Sequence, residues 1–535
     1  MTSISFESIK KKWRLITLSI VLTGYMIPAI AQSNLIHGIV FDDVNKNGLL
    51  DQHESGIPGV MVSNQREVVL TDTQGRYQLP AQPRMIVFIT KPSGYSIPLN
   101  ENHQPQFYYI HQPQGSPRDL QYPGIEPTGP LPESLNFPLY RGEVTDQFDA
   151  IIVGDPQPRD VRELGYFRDD IVSEMVNHQV SLYLAYGDIA FDDLSLYQEY
   201  NQIVGTLGVP AYNVHGNHDM NYDVSHDSLS TETFKRHFGP ADYSFNYGKV
   251  HFVVLDNVAY SGWDHQNNRH GTYVGQLSEK QLTWLENDLS QTPDDYLVVI
   301  NTHIPLKTTQ SDAGSINTVN KQELFEILKH RKHLLALSAH MHYIDHLAFT
   351  PEDGWVSEAP FPNINVGAGC GAWWSGPKDP RGIPVSYSLD GSPNGFYIFN
   401  FDGNDFNYRY IPANTPEHQQ MRISFPIGQL EKDSLINKHI LVNIFNADPN
   451  TLVQCRLDDG EPMVMQQQYA QDPFIVEYLA DGKNFPSWSN RALEHQHMWS
   501  LPLPDLVPGT HSLRVNAQDS KGNSYRGFTI FKVSP

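Results

Sequence analysis

The chain has 535 residues, which is enough for roughly two to four domains that each bury a core. Its 37 Lys and Arg residues are outnumbered by 60 Asp and Glu residues, and the formal net charge is −23. Such a chain offers little material for a positively charged nucleic-acid groove, so that class of partner is disfavoured. The two cysteines, Cys370 and Cys455, are too few for a disulfide framework or a cysteine zinc site, and the sequence leaves open whether they pair.

Residues 1–31 have the pattern of a secretory signal peptide. Lys10–Lys12 and Arg14 precede an apolar run from Leu15 to Ile30, and the run ends in the small-x-small pattern Ala29-Ile30-Ala31. The alternative is a membrane anchor, but the run is shorter than the about 20 residues that cross a bilayer. No other stretch is long and apolar enough to span a membrane. We therefore expect an exported protein, periplasmic or secreted.

Residues 32–142 are expected to form an N-terminal β-sandwich. Short runs typical of strands, Gly38–Phe41, Val60–Ser63 and Met85–Ile89, alternate with clusters of Gly, Asn and Asp. The proline-rich stretch 101–142 allows two interpretations, edge structure that closes the sandwich or a semi-rigid connection to the next domain.

A segment of the N-terminal domain matches the spacing of a calcium-binding loop. The candidate calcium ligands are Asp43, Asn45, Asn47, Asp51 and Glu54. A strand pattern precedes them instead of a helix, so a hairpin turn at Asn47-Gly48 is the competing interpretation. With the stretches 56–60 and 71–77, the segment resembles the B-type repeat domains of bacterial surface adhesins, and that resemblance implies a structural calcium ion. Both interpretations stay open.

Residues 143–412 are expected to form an α/β domain, and 413–535 a C-terminal β-sandwich. Helix-period signals disappear after about residue 412, whereas the middle part alternates apolar strands with amphipathic helices. The predicted strands include Ala150–Val153, Leu182–Ala185, Leu297–Ile300 and Leu334–Leu337, and the predicted helices run through Ile171 and Met175, from the capping box Ser278-x-x-Gln281 to Leu289, and around Leu324–Leu328.

Metal-binding residue types follow the predicted strands of the α/β domain, where open sheets place their ligands. They are Asp155, Gln157, Asp188, Asn217, His218, His303, His340 and His342. A His-x-His pair alone indicates little, because a second one occurs at His495 and His497. The conjunction of several such clusters at strand ends is what indicates a site.

This set of side chains suits a two-metal hydrolase. Two neighbouring divalent cations need a bridging carboxylate and further oxygen or imidazole ligands. Such a pair binds phosphate, lowers the pKa of a bridging water and stabilises the charge of an in-line displacement. His218, beside the candidate ligand Asn217, is the candidate general acid for the leaving oxygen.

In their order, these clusters resemble the signature of the calcineurin-like metallophosphoesterases, over about residues 145–400. The matching segments are Asp155-Pro156-Gln157, Gly187-Asp188, Gly216-Asn217-His218-Asp219, His303 and Ala339-His340-Met341-His342. The resemblance implies a four-layered αββα sandwich, flanked here by N-terminal and C-terminal β-sandwich domains as in exported bacterial members. It assigns Asp155, Gln157, Asp188 and His342 to one metal, and Asp188 as a bridge, Asn217, His303 and His340 to the other. It makes His218 act on the leaving group.

Two positions depart from the family pattern. Gln157 stands where the family usually has His, and this oxygen ligand favours manganese or another oxygen-tolerant divalent ion over tightly bound iron. Iron, zinc and magnesium remain alternatives. Ala339 replaces the usual Gly, which removes no ligand.

A Gly-rich segment with two Trp follows the last candidate ligands. Trp373, Trp374 and Arg381 are candidates for binding substrate, because the indole rings offer stacking faces. The competing interpretation is a structural loop whose Trp residues fill the junction between domains.

The resulting hypothesis is an exported phosphomonoesterase or phosphodiesterase that uses a metal-bridging hydroxide on a phosphorylated small molecule or envelope substrate. The alternative is an envelope binding or adhesion protein with an inactive phosphoesterase-like domain. All family ligand positions carry a residue able to bind metal, which favours the enzyme. Neither the ester type nor the oligomeric state follows from the sequence.

Overall fold

A computed structural model describes residues 35–143, 145–311, 313–480 and 491–535. The predicted signal peptide, residues 1–31, lies outside the described residues. Within the described ranges, no helix combines the length and apolar character needed to cross a membrane.

Two four-stranded sheets form the N-terminal sandwich. In spatial order, one contains Arg76–Pro80, Leu35–Asp42, Phe137–Arg141 and Tyr95–Ser96, and the other Val68–Leu70, Met61–Ser63, Met85–Ile89 and Tyr108–His111. Val40, Leu79, Phe88 and Leu139 are fully buried between them. The proline-rich stretch supplies one strand to each sheet, so the interpretation that it closes the sandwich is the correct one.

The segment between those two strands, residues 112–136, also contacts the α/β domain. The carbonyl of Tyr122 accepts a hydrogen bond from the hydroxyl of Thr233 at 3.0 Å, and Arg236 donates to the carbonyl of Gly124 at 2.7 Å. The N-terminal domain is thus bonded directly to the helix Glu232–Phe238.

The loop 43–54 joins two segments that pair antiparallel. Phe41 and Gly56 form an antiparallel bridge, and the N–H of Asp42 donates to the carbonyl of Ser55 at 3.0 Å. The backbone N–H groups of Asn47 and Gly48 donate to the carboxylate of Asp43, at 3.2 and 2.8 Å. The chain therefore reverses direction across this loop, whose backbone wraps around the Asp43 side chain, and calcium binding stays a prediction.

The middle part contains two packed sheets with helices outside. The first sheet contains Ala211–Val214, Leu182–Tyr186, Gln147–Val153, Gly395–Asp402 and Asp405–Pro412, the second Tyr243–Tyr247, Val250–Val254, Leu297–Asn301, Leu334–Ser338, Pro362–Asn365 and Asp345–Ala348, and a small ribbon pairs Val258–Tyr260 with Tyr273–Gly275. The helices are Val161–Phe167, continued by a π-helical turn Arg168–Val172 and by Ser173–Met175, then Tyr197–Gly205, Glu232–Phe238, Glu279–Ser290 and Lys321–Leu328.

The apolar strands are buried on both faces. Ile152 packs inward with residues of the second sheet such as Phe252, while its neighbour Ile151 packs outward with helical Phe167. Strands covered on both faces read as continuous apolar runs, which is why the sequence located them. The expected αββα sandwich is confirmed.

The C-terminal part is a second sandwich. One sheet contains Met421–Phe425, His439–Ile444, His495–Pro502 and Gln466–Ala470, the other Gly428–Glu431, Ser524–Ser534, Gly509–Gln518, Leu452–Leu457 and Met463–Val464. A helix, Pro473–Ala480, was not predicted. It spans only 8 residues, too few for a clear helical period, and its Tyr478 donates a hydrogen bond to the carbonyl of Val385 in the α/β domain.

Candidate metal centre

The candidate ligands lie in turns that follow parallel strands. Asp155, Asp188 and Asn217 follow strands of the first sheet, and His303 and His340 follow strands of the second. Five of the residues in these turns have positive φ angles: Asp155 39°, Gln157 40°, Asp188 50°, His340 73° and His342 53°. Such conformations cost about 1–3 kcal/mol each for non-Gly residues and concentrate at functional sites. The fold therefore aims these side chains at one place against a backbone preference.

Three electron-pair donors meet around His303. Its Nδ1 lies 2.7 Å from the carbonyl oxygen of Tyr186, which can only accept, so Nδ1 carries a proton and Nε2 is the nitrogen that a metal can take. That Nε2 is 3.0 Å from Oδ1 of Asn217 and 3.3 Å from Oδ1 of Asp188. One ligand atom each from Asp188, His303 and His340 lies within 4.8 Å of the others. Atoms that all donate electron pairs converge in this way around a cation.

Electrostatics point the same way. Burial lowers the pKa of His303, but the adjacent Asp188 carboxylate raises it more, to about 9. Without a cation, Nε2 therefore also carries a proton at neutral pH, and a bound cation would displace that proton. The pKa of Asp188 is lowered, because His303 and His218 outweigh its burial. The pocket therefore favours positive charge beside Asp188.

The other two histidines are fixed in the neutral form that ligates metals. Nε2 of His340 lies 2.9 Å from the carbonyl of Ser315, and Nδ1 of His342 lies 2.5 Å from that of Gly371, so each ring donates from one nitrogen and keeps a lone pair on the other. Burial lowers the pKa of His340 to about 3 and that of His342 to about 4. Both tautomers are set by the backbone.

A second cluster surrounds Asp155. Nε2 of His342 lies 3.8 Å from Oδ1 of Asp155, and burial, together with the charge of Asp188, raises the pKa of Asp155 to about 8. Within the described ranges, neither carboxylate pairs with Lys or Arg. Two buried carboxylates that lack basic partners fit a second cation.

Gln157 lies between these clusters and Cys370. Its side-chain amide donates to Oδ2 of Asp188 at 3.0 Å, while Oε1 is 3.8 Å from the Cys370 sulfur. The amide is symmetric in shape, and rotation by half a turn brings the oxygen to the carboxylate side. The proximity of Cys370 had no signal in the sequence. Cys370 and Cys455 are both free thiols.

One glycine and one carboxylate support the ligands. A Cβ on Gly216 would collide with the backbone and carboxylate of Asp188, so only Gly allows this approach. Asp219 accepts hydrogen bonds from the N–H of Gly216 at 2.9 Å, the N–H of Ile189 at 3.0 Å and the hydroxyl of Tyr197 at 2.8 Å. It thereby fixes the two ligand turns relative to each other.

His218 lies at the rim of the centre. Its Nδ1 is 2.7 Å from Oδ1 of Asp192, its ring stacks on Phe191 at 4.3 Å, and its side chain is 22% exposed. Burial lowers its pKa, but Asp188 and Asp192 raise it above the ordinary value. A protonated imidazole with Nε2 directed away from Asp192 is suited to donate a proton. Asp192 was not predicted, because one isolated Asp in a loop has no distinguishing pattern.

The Trp-containing segment divides between two environments. Trp373 stacks on His342 at 4.5 Å and packs edge-on with Phe191 at 5.8 Å, so it forms a wall of the metal centre. Trp374 instead donates to Asp170 at 3.1 Å, and Arg381 pairs with the same carboxylate at 2.6 Å. A cavity beside His218 is lined by neither Trp374 nor Arg381, and the contacts of both side chains with Asp170 are structural.

The predicted calcium ligands also come together. Oδ2 of Asp51 accepts from the side-chain amides of Asn45 and Asn47, at 2.8 and 2.9 Å, and Glu54 accepts from the N–H groups of Val44 and Asp51. These hydrogen bonds close the loop on itself.

Three family models match the chain. The model described as calcineurin-like phosphoesterase matches residues 150–343, and those of its N-terminal and C-terminal accessory regions match 44–123 and 363–525. The chain belongs to the calcineurin-like phosphoesterases. Membership implies a site for two divalent metal ions, which the donor set described above fits.

Among curated proteins, two named phosphodiesterases are similar over part of their lengths. One is named probable glycerophosphodiester phosphodiesterase GpdQ, from Arcobacter nitrofigilis, with 28% identity over 152 residues, 28% of this chain and 51% of that protein. Another is the 3',5'-cyclic adenosine monophosphate phosphodiesterase CpdA of Escherichia coli K12, with 28% identity over 172 residues, 31% of this chain and 55% of that protein. The chain spans about half the length of the curated relatives it matches.

Solved structures show a weaker likeness. A dimetal phosphatase from Danio rerio aligns with a TM-score of 0.33 and 15% identity, covering 49% of this chain and 98% of that one. A purple acid phosphatase from yellow lupin aligns with a TM-score of 0.37 and 11% identity, covering 67% and 69%. At these TM-scores neither likeness carries a functional argument.

Proposed function

We propose that this calcineurin-like phosphoesterase hydrolyses esters of phosphate, with the ligands of two divalent cations supplied by Asp155, Gln157, Asp188 and His342 on one side and by Asp188, Asn217, His303 and His340 on the other. The observation that carries the proposal is the meeting of three ligand atoms. Nε2 of His303 lies 3.0 Å from Oδ1 of Asn217 and 3.3 Å from Oδ1 of Asp188. When bound, the cations neutralise phosphate charge and make water a nucleophile near neutral pH.

His218 supplies the proton in this proposal. Because Asp192 accepts from Nδ1, the Nε2–H points to the other side of the ring and can donate to the leaving alkoxide oxygen. The raised pKa of His218 favours the protonated form of the ring. The exposed part of the ring lets solvent return the proton after each turnover.

The substrate class we propose is a small organic phosphate ester. Both curated relatives are named as phosphodiesterases, which supports an ester with two substituents, although a monoester presents the same phosphate to the centre.

The function is tested with p-nitrophenyl phosphate and bis(p-nitrophenyl) phosphate on chelated protein resupplied with one metal at a time. Metal-dependent release is expected, and Asp188→Ala should lose it. Asp295→Asn, at an exposed site, is the matched control. Release from neither ester with any metal would overturn the proposal.

We propose manganese as the preferred ion. Gln157 offers an oxygen where an imidazole would favour softer ions, and Asp155, Asp188 and Asn217 add further oxygen ligands. Metal analysis of the purified protein tests this, and a stoichiometric ferric ion that resists chelation would contradict it.

The remaining proposals concern processing and architecture. We propose export after cleavage of residues 1–31, division of the mature chain at about residues 142 and 412, and a structural calcium ion at the 43–54 loop. The signal pattern, the three sheet pairs and the hydrogen bonds that close the 43–54 loop on Asp43, Asp51 and Glu54 support these. N-terminal sequencing of the exported protein tests the first. Limited proteolysis tests the second, and the calcium dependence of melting of the full chain tests the third.

A further inference from the structure

A cavity of about 500 Å³ adjoins the metal centre and is lined in part by Asn217 and His218. Its volume lies in the range of small-molecule sites, about 300–1,000 Å³. Six aromatic side chains contribute to its lining: Tyr122, Phe191, Tyr222, Trp263, His270 and Tyr273. This cavity is distinct from the ligand cluster itself, and the proposed chemistry does not yet use it.

The aromatic rings are fixed against the metal centre. The hydroxyl of Tyr222 donates to the carbonyl of Asn217 at 2.6 Å, and its ring lies 5.3 Å from that of His270. On another side, the ring of Tyr273 lies 6.1 Å from that of the candidate ligand His340. A substituent of a phosphate held at the metal centre would therefore project among aromatic rings.

Three carboxylates share this cavity: Asp192, Asp193 and Asp223. Of the described residues that line it, none is Lys or Arg. Asp193 accepts hydrogen bonds from Ser195, and Asp223 accepts one from the N–H of Gln121 at 2.7 Å, but neither forms an ion pair with a basic side chain in the described part of the chain. The negative charges of Asp193 and Asp223 are therefore available to attract a cationic group of a ligand.

The N-terminal domain builds one wall of the cavity. Gln121 and Tyr122 belong to the segment that leaves the N-terminal sandwich, and the contacts of Tyr122 with Thr233 and of Gln121 with Asp223 anchor it. The cavity is thus complete only when this domain is docked on the α/β domain, which gives the domain a role in selecting substrate.

Aromatic faces and carboxylates together attract one chemical class. The negative faces of aromatic rings bind organic cations, and quaternary ammonium groups in particular, while unpaired carboxylates add Coulomb attraction. An anionic substituent would be repelled, and a neutral one would gain nothing from the carboxylates. The net charge of −23 favours the approach of a cationic group in the same sense.

We propose that the cavity beside His218 binds the ammonium group of an amino-alcohol phosphate ester, of the choline or ethanolamine class. The inference rests on the proposed function, because it places the phosphate of that ester at the metal centre. Water oxygen then forms the new bond to phosphorus, and the bond from phosphorus to the amino-alcohol oxygen breaks. The leaving oxygen takes its proton from Nε2 of His218, and the proton released by water passes to solvent.

The test compares esters that differ only in charge. Choline phosphate and methyl choline phosphate are matched with the corresponding 3,3-dimethylbutyl esters, in which carbon replaces the nitrogen, and ethanolamine phosphate is included. Hydrolysis by the manganese-loaded full chain is followed by phosphorus NMR. We expect kcat/KM for the better choline ester to exceed that of its neutral counterpart by about tenfold or more. Equal values for the two esters would overturn the inference while leaving the proposed function intact.

A binding measurement separates the two proposals. Tetramethylammonium should bind the full chain in isothermal titration and compete with hydrolysis, whereas neopentyl alcohol of similar shape should do neither. If neither these esters nor the p-nitrophenyl esters are hydrolysed but tetramethylammonium binds, the proposed function fails and the cation site stands. If only the p-nitrophenyl esters are hydrolysed, the proposed function stands and the amino-alcohol substrate class fails. If the esters are hydrolysed and tetramethylammonium does not bind, the cation site fails. Preference for ethanolamine over choline supports a cation site that recognises a primary ammonium.

Two variants locate the site. Trp263→Leu and Asp193→Asn should each lower the ratio of kcat/KM for choline and neutral esters toward one, by several-fold. Phe528→Leu, an aromatic residue 56% exposed on a C-terminal strand, and Asp295→Asn are the matched controls and should keep the ratio of the wild type. If Trp263→Leu fails to fold, Asp193→Asn still decides, and an unchanged ratio in Asp193→Asn would contradict the placement.

Discussion

The same three-residue pattern, His-x-His, occurs in two regions of this molecule with opposite outcomes. His340 and His342 lie in a turn with φ angles of 73° and 53°, and each donates from one ring nitrogen to a backbone carbonyl. His495 and His497 lie in the strand His495–Pro502, where residues two apart point to the same face, and both side chains are buried.

Among the described residues, the second pair lacks the hydrogen bonds from ring nitrogens to backbone carbonyls that the first pair makes. Nε2 of His495 and both ring nitrogens of His497 have no hydrogen-bond partner among the described residues, and the nearest carboxylate oxygen, on Asp390, is 3.6 Å from Nδ1 of His497. That distance is too long for a hydrogen bond. The difference teaches that spacing of histidines does not make a metal site. A metal site also needs a backbone acceptor that fixes the tautomer of each histidine, and carboxylates that lie beside the free ring nitrogen.

The strongest test of the difference between the two pairs replaces one histidine of each pair by alanine. We expect His340→Ala to lose metal and to lower kcat/KM by at least about a hundredfold, because changes to mere partners of metal ligands already cost about 10–100-fold. His495→Ala should keep the metal content of the wild type. Elemental analysis of the chelated and reloaded proteins, with phosphatase assays, measures both. Loss of metal in His495→Ala, or retention in His340→Ala, would show that the assignment of the two pairs is wrong.

The sequence predicted much of this site because its physical causes are local. Apolar strands covered on both faces give unambiguous runs, and Asp155 and Asp188 follow such runs directly. The α/β domain and the convergence of the strand ends followed from that pattern, while the αββα arrangement was implied by the resemblance to the calcineurin-like metallophosphoesterases. The helix Pro473–Ala480 could not be predicted in the same way, since 8 residues give little more than two helical turns.

What the sequence could not predict depends on contacts between distant segments. Asp192 acquires its position from a hydrogen bond to His218, and Tyr122 reaches the cavity because the N-terminal segment crosses to the α/β domain. Trp373 and Trp374 are neighbours in the chain, yet one stacks on His342 and the other bonds to Asp170. No property of the two residues distinguishes them before the chain folds.

The second pair should also make the stability of the folded chain depend on pH. Burial lowers the pKa of His497 well below its ordinary value of 6.5, and the charges of His495 and His346 lower it further. The unfolded chain therefore takes up a proton at this position as pH falls below about 6.5, while the folded chain does not, and acid destabilises the folded state. Leucine cannot take up the proton. Relative to wild type, His497→Leu should gain up to about 1.4 kcal/mol per pH unit below pH 6.5.

Amide hydrogen exchange of the strand His495–Pro502, corrected for the intrinsic rate at each pH, measures this difference in opening free energy. Asp345 lies in the same region and has its pKa raised by burial to about 7, which favours the folded state in acid and partly offsets the histidines in the wild type. Because Asp345 is present in both proteins, the comparison of variant and wild type isolates His497. A difference that is independent of pH would contradict the prediction.

The smallest expected effect is at pH 8, where His497 is uncharged in both the folded and the unfolded chain. A buried polar nitrogen without a partner costs about 1–3 kcal/mol of desolvation, and replacing it by an apolar group of similar size removes that cost. Leucine is only slightly larger than histidine in volume, so the change in packing is minor. We therefore expect His497→Leu to stabilise the strand by about 1 kcal/mol in the same exchange experiment. The corresponding change at His342, whose Nδ1 donates to the carbonyl of Gly371, should destabilise its turn instead, because it removes that hydrogen bond. If both changes destabilise equally, the two pairs do not differ in the way their hydrogen bonds indicate.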